Sequence, residues 1–209
     1  MPGRNVLKSD APESFYHVYV RGGNKSRIFR EDADYEMFLQ LFARYLSLVE
    51  VKNSAGVSYP NYSNRVELLA FCLMPNHVHI LLYQYSQHDM TEFMRSLLTS
   101  YSMYFNHKYK RTGPLFESRY KASLVSDDAY LHHISRYIHL NPRQWKEYPY
   151  SSLPYYLQQV SDDWIVPRRV AELFEGPTTY LQFLDDYVEH KEMLDILKHE
   201  LANEIWLKL

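Results

Sequence analysis

Residues 65–84 read RVELLAFCLMPNHVHILLYQ, two apolar, β-prone runs broken once, at Pro75-Asn76. Pro-Asn is turn chemistry, so the spacing predicts strands over 65–74 and 77–84 on either side of a turn. In the second run Val78 separates His77 from His79. Alternate residues of a strand share a face, so both imidazoles project together while Val78 packs behind them. Two convergent imidazoles are half of a divalent-metal site. The competing reading is two unrelated histidines on a half-exposed strand, since the chain holds ten histidines.

Outward from this pair, SFYHVYV (14–20) alternates and predicts a strand ending at Gly22-Gly23. Phe38, Leu41, Phe42, Tyr45, Leu46 and Val49 recur at helical spacing and predict an amphipathic helix over 31–50. Residues 52–64 read as a loop, and residues 90–109 as a second helix with Phe93, Leu97, Tyr101, Tyr104 and Phe105 on one face. Residues 115–125 read as extended. A third helix is expected from Ser126, as N-cap ahead of Asp127 and Asp128, to Asn141, because Pro142 disfavours helical geometry before it. Residues 167–207 read as two or three short helices. Strands and helices interleave without βα repeats, so the expected class is α+β: a small antiparallel sheet flanked by helices, residues 1–155, followed by an acidic helical extension, 156–209.

At 209 residues the chain can bury about 70% of its unfolded surface without staples. One cysteine, Cys72, excludes an internal disulfide framework and a cysteine zinc cage. The longest apolar run, Leu68–Met74, is far too short to span a bilayer, and no secretory signal is visible at the N-terminus, so the expected compartment is the cytoplasm. Charge is uneven: residues 1–150 sum to +4 and residues 151–209 to −6. Lys108, Lys110, Arg111, Arg119 and Lys121 face only Glu117 among acids over residues 108–121. Such a patch fits phosphate binding and fits a solvated loop. The 20 tyrosines suit wet interfaces and base stacking.

Tyr137 and Asn141 lie at i and i+4, one face of the third helix. Asn141 could lend a carbonyl oxygen to a metal held by His77 and His79, which would set the Tyr137 phenol one turn from the same ion. Without the histidines, a ring packed in the core is the better reading of Tyr137.

Four segments together resemble the single-tyrosine HUH transposases, specifically the REP-associated tyrosine transposases. They are FYHVYVRG (15–22), LMPNHVHILL (73–82), GPLFESRYK (113–121) and YIHLNP (137–142), in the family's order and within roughly residues 12–155. The resemblance implies a ferredoxin-like core with the two histidines on a central strand. It implies Mg²⁺ or Mn²⁺ at His77, His79 and Asn141, and Tyr137 as nucleophile on a single-stranded DNA phosphodiester, leaving a 5′-phosphotyrosine. The implied partner is hairpin-bearing single-stranded DNA, with Arg21, Lys108, Lys110, Arg111, Arg119 and Lys121 expected on its phosphates. A homodimer is one assembly the resemblance allows, since insertion-sequence relatives share active sites between two copies, whereas longer tailed members need not. The alternatives are a hairpin-binding protein that does not cut and an unrelated hydrolase. A histidine-triad hydrolase would need a third alternating histidine where Leu81 stands, and a zinc deaminase needs a C-x-x-C that one cysteine cannot supply.

Overall fold

The computed structural model describes residues 10–125 and 128–188. Its elements are β1 (Ser14–Arg21), α1 (Asp32–Leu46), β2 (Val66–Met74), β3 (His77–Gln84), α2 (Asp89–Lys108), β4 (Lys121–Val125), α3 (Asp128–His139), α4 (Leu153–Tyr156), α5 (Arg168–Ala171) and α6 (Pro177–Val188). The sheet order is β2-β3-β1-β4, with every neighbour antiparallel. A β-α-β-β-α-β order wound this way is the ferredoxin-like arrangement within the α+β class.

Helices cover both faces, which is why β2 and β3 read as continuous apolar runs. Tyr16, Val18 and Val20 of β1 and Val78, Ile80 and Leu82 of β3 point to one face, where Phe38 and Phe42 of α1 and Phe93, Leu97 and Tyr101 of α2 close the first core. Leu81, Ala70 and Cys72 point the other way, against Leu131, Ile134 and Ile138 of α3. Val170, Tyr180 and Leu184 complete this second core, so residues 156–188 pack on the sheet rather than on a core of their own.

A bulge between Leu68 and Ala70 sets the phase of β2. It turns Phe71 and Leu73 to the α1–α2 side and pairs Cys72 with His79 and Met74 with His77 on the other.

Some elements differ from the sequence expectation. Helix α1 stops at Leu46, not at residue 50, because Ser47 turns extended and Asp163 captures both the Ser47 hydroxyl (3.0 Å) and the Leu48 N–H (3.0 Å). Of the extended stretch 115–125, Lys121–Val125 forms a strand of the sheet and Phe116 makes an isolated antiparallel bridge to Gly22. The expected N-cap at Ser126 with Asp127 lies outside the described residues, as does the part of 167–207 beyond Val188.

Candidate active site on the histidine face of the sheet

The register carries the site. Arg21 pairs with His77 and Tyr19 with His79 across β1–β3, and Tyr19 pairs with Lys121 across β1–β4. Directly opposed residues share a face. His17, Tyr19, Arg21, His77, His79 and Lys121 therefore all stand on the side that α3 covers. The Tyr137 ring meets the His79 ring edge-on at 5.0 Å between centroids, and the His17 ring at 5.9 Å. Asn141 lies just past the end of α3 and brings its side-chain Oδ1 to 3.2 Å from His77 Nε2. The structure thus brings Tyr137, His77, His79 and Asn141 together with Arg21 beside them.

Burial governs the electrostatics. It pushes His77 down to about 4, with the Asn141 contact opposing and the nearby Arg21 charge adding to the fall. His79 is held well below its ordinary range by burial, then by His17, His77 and Arg21. Both rings are neutral near pH 7. The Tyr137 phenol is raised to about 12, chiefly by burial and also by Tyr19, while Asn141 and Arg21 pull it back down.

The donor set fits a divalent cation. Neutral His77 holds one proton, yet each ring nitrogen faces an amide oxygen: Nδ1 lies 2.7 Å from Asn76 Oδ1, and Nε2 lies 3.2 Å from Asn141 Oδ1. With Nδ1 donating to Asn76, the Nε2 lone pair and the Asn141 oxygen are two acceptors facing each other. His79 is bonded through Nδ1, to His17 Nε2 at 3.0 Å, so Nε2 is the nitrogen it could offer a cation. Two imidazole nitrogens and an amide oxygen suit Mg²⁺ or Mn²⁺ with outside oxygens completing the shell. Among the described residues no three of His, Cys, Asp and Glu form a metal cluster, so a third protein ligand beside the two histidines would be of another type, such as the Asn141 amide oxygen.

The expected DNA-contacting residues divide. Arg21 and Lys121 stand on the histidine face, and the Arg21 guanidinium lies 5.4 Å from the Tyr19 ring centre. Its Nε is buried without a hydrogen-bond partner. The segment before β4 runs beside Arg21, with the Glu117 N–H donating to the Arg21 carbonyl (2.9 Å). Arg119 lines an open cavity of about 760 Å³ between α2 and residues 114–120. Lys110 and Arg111 follow the end of α2, with Arg111 5.6 Å from the Phe105 ring centre. Lys108 is different: its ammonium is held by Asp34 and Glu31, each at 2.6 Å, against the α1 side. That engagement ties α2 to α1 instead of leaving a free charge for phosphate.

His133, four residues before Tyr137 and so a candidate acceptor of its proton by spacing, lies 2.7 Å from the Arg136 guanidinium through Nδ1. Two residues at the centre, His17 and Tyr19, were not singled out by the sequence reading. The signal was present: His17, Tyr19 and Arg21 alternate on β1 as His77 and His79 do on β3.

Residues 13–141 match the family described as transposase IS200-like. The fold is similar to that of a REP-associated tyrosine transposase bound to a REP hairpin, with TM-score 0.55 and 15% identity over 77% of this chain and 90% of that one. A proposed transposase from Deinococcus radiodurans R1 gives TM-score 0.40 and 17% identity over 63% of this chain and 93% of that one. No curated protein sequence matches. The family match takes in β1 through Asn141, including every residue of the tyrosine–histidine cluster, and the chain belongs to the IS200-like transposases.

Proposed function

We propose that this transposase nicks and rejoins hairpin-bearing single-stranded DNA through Tyr137. The observation that carries this reading is the convergence of the Tyr137 ring on His79 (5.0 Å) while Asn141 meets His77 (3.2 Å). Binding alone needs none of these four side chains in that arrangement.

In the proposed step the Tyr137 phenol oxygen attacks the scissile phosphorus. The P–O3′ bond breaks, the phenolic proton is released, and the departing 3′ oxygen takes up a proton. The product is a 5′-phosphotyrosine and a free 3′-OH. That linkage keeps a reactive phosphodiester, so a second 3′-OH can reverse the step and join a new strand without ATP. Arg21 supplies positive charge beside the reacting phosphate. His77, His79 and Asn141 would hold Mg²⁺ or Mn²⁺, which would supply Lewis-acid polarisation of a phosphate oxygen and so offset a phenol held protonated by burial. The neutral rings leave their lone pairs available at neutral pH.

The test is an SDS-resistant protein–DNA adduct formed on a labelled hairpin strand with Mn²⁺ or Mg²⁺. Tyr137→Phe should abolish adduct and nick together, and Tyr130→Phe should retain both. An adduct mapped to another tyrosine, or nicking by Tyr137→Phe, overturns the mechanism. Hairpin binding by the wild type with no adduct under any divalent ion would favour the non-cutting reading.

A further inference from the structure

His17 is 2% exposed, in the middle of β1. Its Nε2 lies 3.0 Å from Nδ1 of His79, with the two ring planes only 11° apart. The same ring meets Tyr137 edge-on. A histidine at this place is neither free nor aimed at solvent. Its ring hydrogen-bonds a candidate metal ligand, and its edge contact goes to the candidate nucleophile.

We propose that His17 is a positioning residue: it accepts the Nδ1 proton of His79, fixes that ring in the Nδ1–H form, and so leaves the His79 Nε2 lone pair open. This rests on the reading of His79 as a ligand. The chemistry follows from counting protons. One hydrogen joins the two rings, and a ligating nitrogen must present a lone pair. His79 can offer Nε2 only if its own proton sits on Nδ1, and the atom facing Nδ1 is His17 Nε2. Nδ1 of His77 is likewise matched to an acceptor, Asn76 Oδ1, so both imidazoles of the pair would be held in the same form. An acceptor behind a ligating imidazole also fixes ring orientation, and losing one typically costs 10–100-fold in metal affinity.

Long-range ¹⁵N–¹H spectra of the full wild-type chain, without metal, should find the His79 proton on Nδ1. His17→Phe keeps a buried ring but removes the acceptor. It should shift His79 towards the Nε2–H form and weaken Mn²⁺ binding, read by electron paramagnetic resonance with a hairpin strand present, by about 10–100-fold. His17→Gln places an amide oxygen near the position of Nε2 and should recover most of that affinity. A wild-type His79 protonated on Nε2 overturns the proposal whether or not either variant folds. Equal Mn²⁺ affinity in wild type and a folded His17→Phe also overturns it. Failure of the nickase reading would look different: no adduct, or no Mn²⁺ bound by the wild type, while His79 still carries its proton on Nδ1.

Discussion

Gly22 shows how tightly single residues are constrained around the site. It follows Arg21, donates its N–H to the Asn76 carbonyl (2.9 Å), and so ties the end of β1 to the turn before His77. A Cβ there would lie 2.3 Å from the Ser26 carbonyl oxygen and 2.8 Å from the Ile28 methyl, and the oxygen belongs to backbone that cannot swing away. Gly22→Ala should cost about 1–3 kcal/mol in urea unfolding, and it should displace Arg21 and lower adduct yield beyond what the stability loss accounts for. Asp34 is the corresponding point in the first core. It is fully buried and accepts bonds from Lys108, Tyr109, Tyr104 and the Arg30 N–H. Burial pushes its carboxyl up, but those donors outweigh burial and hold it below its ordinary value. A depressed carboxyl stabilises the fold above the unfolded value of about 4, and that contribution is lost as pH falls through the folded value. Asp34→Ala should therefore cost about 3–5 kcal/mol near pH 7 and progressively less below about pH 4, as measured by denaturant melts in both ranges. An equal loss at both would remove the carboxylate from the argument.

At the scale of elements, the position of α3 decides whether the site exists, because α3 brings Tyr137 and the turn after it brings Asn141. Apolar packing through Leu131, Ile134 and Ile138 holds it to the sheet, and polar contacts prevent it from sliding. Buried His139 lies 2.6 Å from the Tyr180 hydroxyl and 2.7 Å from the Ser152 hydroxyl, and Ser152 in turn meets the backbone of Phe71 on β2. One proton arrangement satisfies the chain: Tyr180 donates to Nδ1, Nε2–H donates to Ser152, and Ser152 donates to the Phe71 carbonyl. Arg136, one residue before Tyr137, has its guanidinium 4.2 Å from the Phe183 ring centre and 3.7 Å from that of Tyr187. Helix α6 thus grips α3 on either side of Tyr137. Tyr180→Phe removes one donor to a buried imidazole and should cost about 1–3 kcal/mol. Its thermal melt should fall while the wild-type fold remains. A melt unchanged from wild type would show that α6 does not fasten α3 through this bond.

For the whole molecule, residues 156–188 share a hydrophobic core with the sheet and α3. Removing residues 156–209 would expose Leu131, Ile134 and Ile138, together with the apolar side of β2 that Val170, Tyr180 and Leu184 cover. The 1–155 fragment should lose cooperative unfolding and bind hydrophobic dyes. A fragment that melts in one sharp transition would mark an independent domain. Charge also has a whole-molecule distribution. Arg21 and Lys121 stand on the histidine face, whereas Lys108 is held by Asp34 and Glu31. For single strands log K falls by about 0.7 per log unit of salt for each phosphate neutralised. Arg21→Ala and Lys121→Ala should each flatten the salt slope of hairpin binding by about that amount. Lys108→Ala should leave the slope unchanged and lower stability instead. No helix among the described residues is long and apolar enough to cross a membrane.

Local patterns were enough for the strands 14–21, 66–74 and 77–84 and the helix 89–108, because period-two and helical spacing are properties of neighbouring residues. They were also enough for the shared face of His77 and His79, set by spacing along one strand, whereas Asn141, expected on the Tyr137 face of a helix running to residue 141, lies past the end of α3 at His139. Other features needed the packed chain. The face each residue of β2 presents could not be read from VELLAFCLM, where every phase is apolar, and the bulge between Leu68 and Ala70 settled it. The end of α1 was set by Asp163, more than a hundred residues away. The charge of Lys108 looked free in sequence because its partners, Glu31 and Asp34, lie over seventy residues earlier. His17 counted for nothing until strand pairing set it against His79 and α3 laid Tyr137 across both. Spacing along one segment determines what shares a face, whereas contacts between distant segments depend on register and burial, which exist only once the chain has packed.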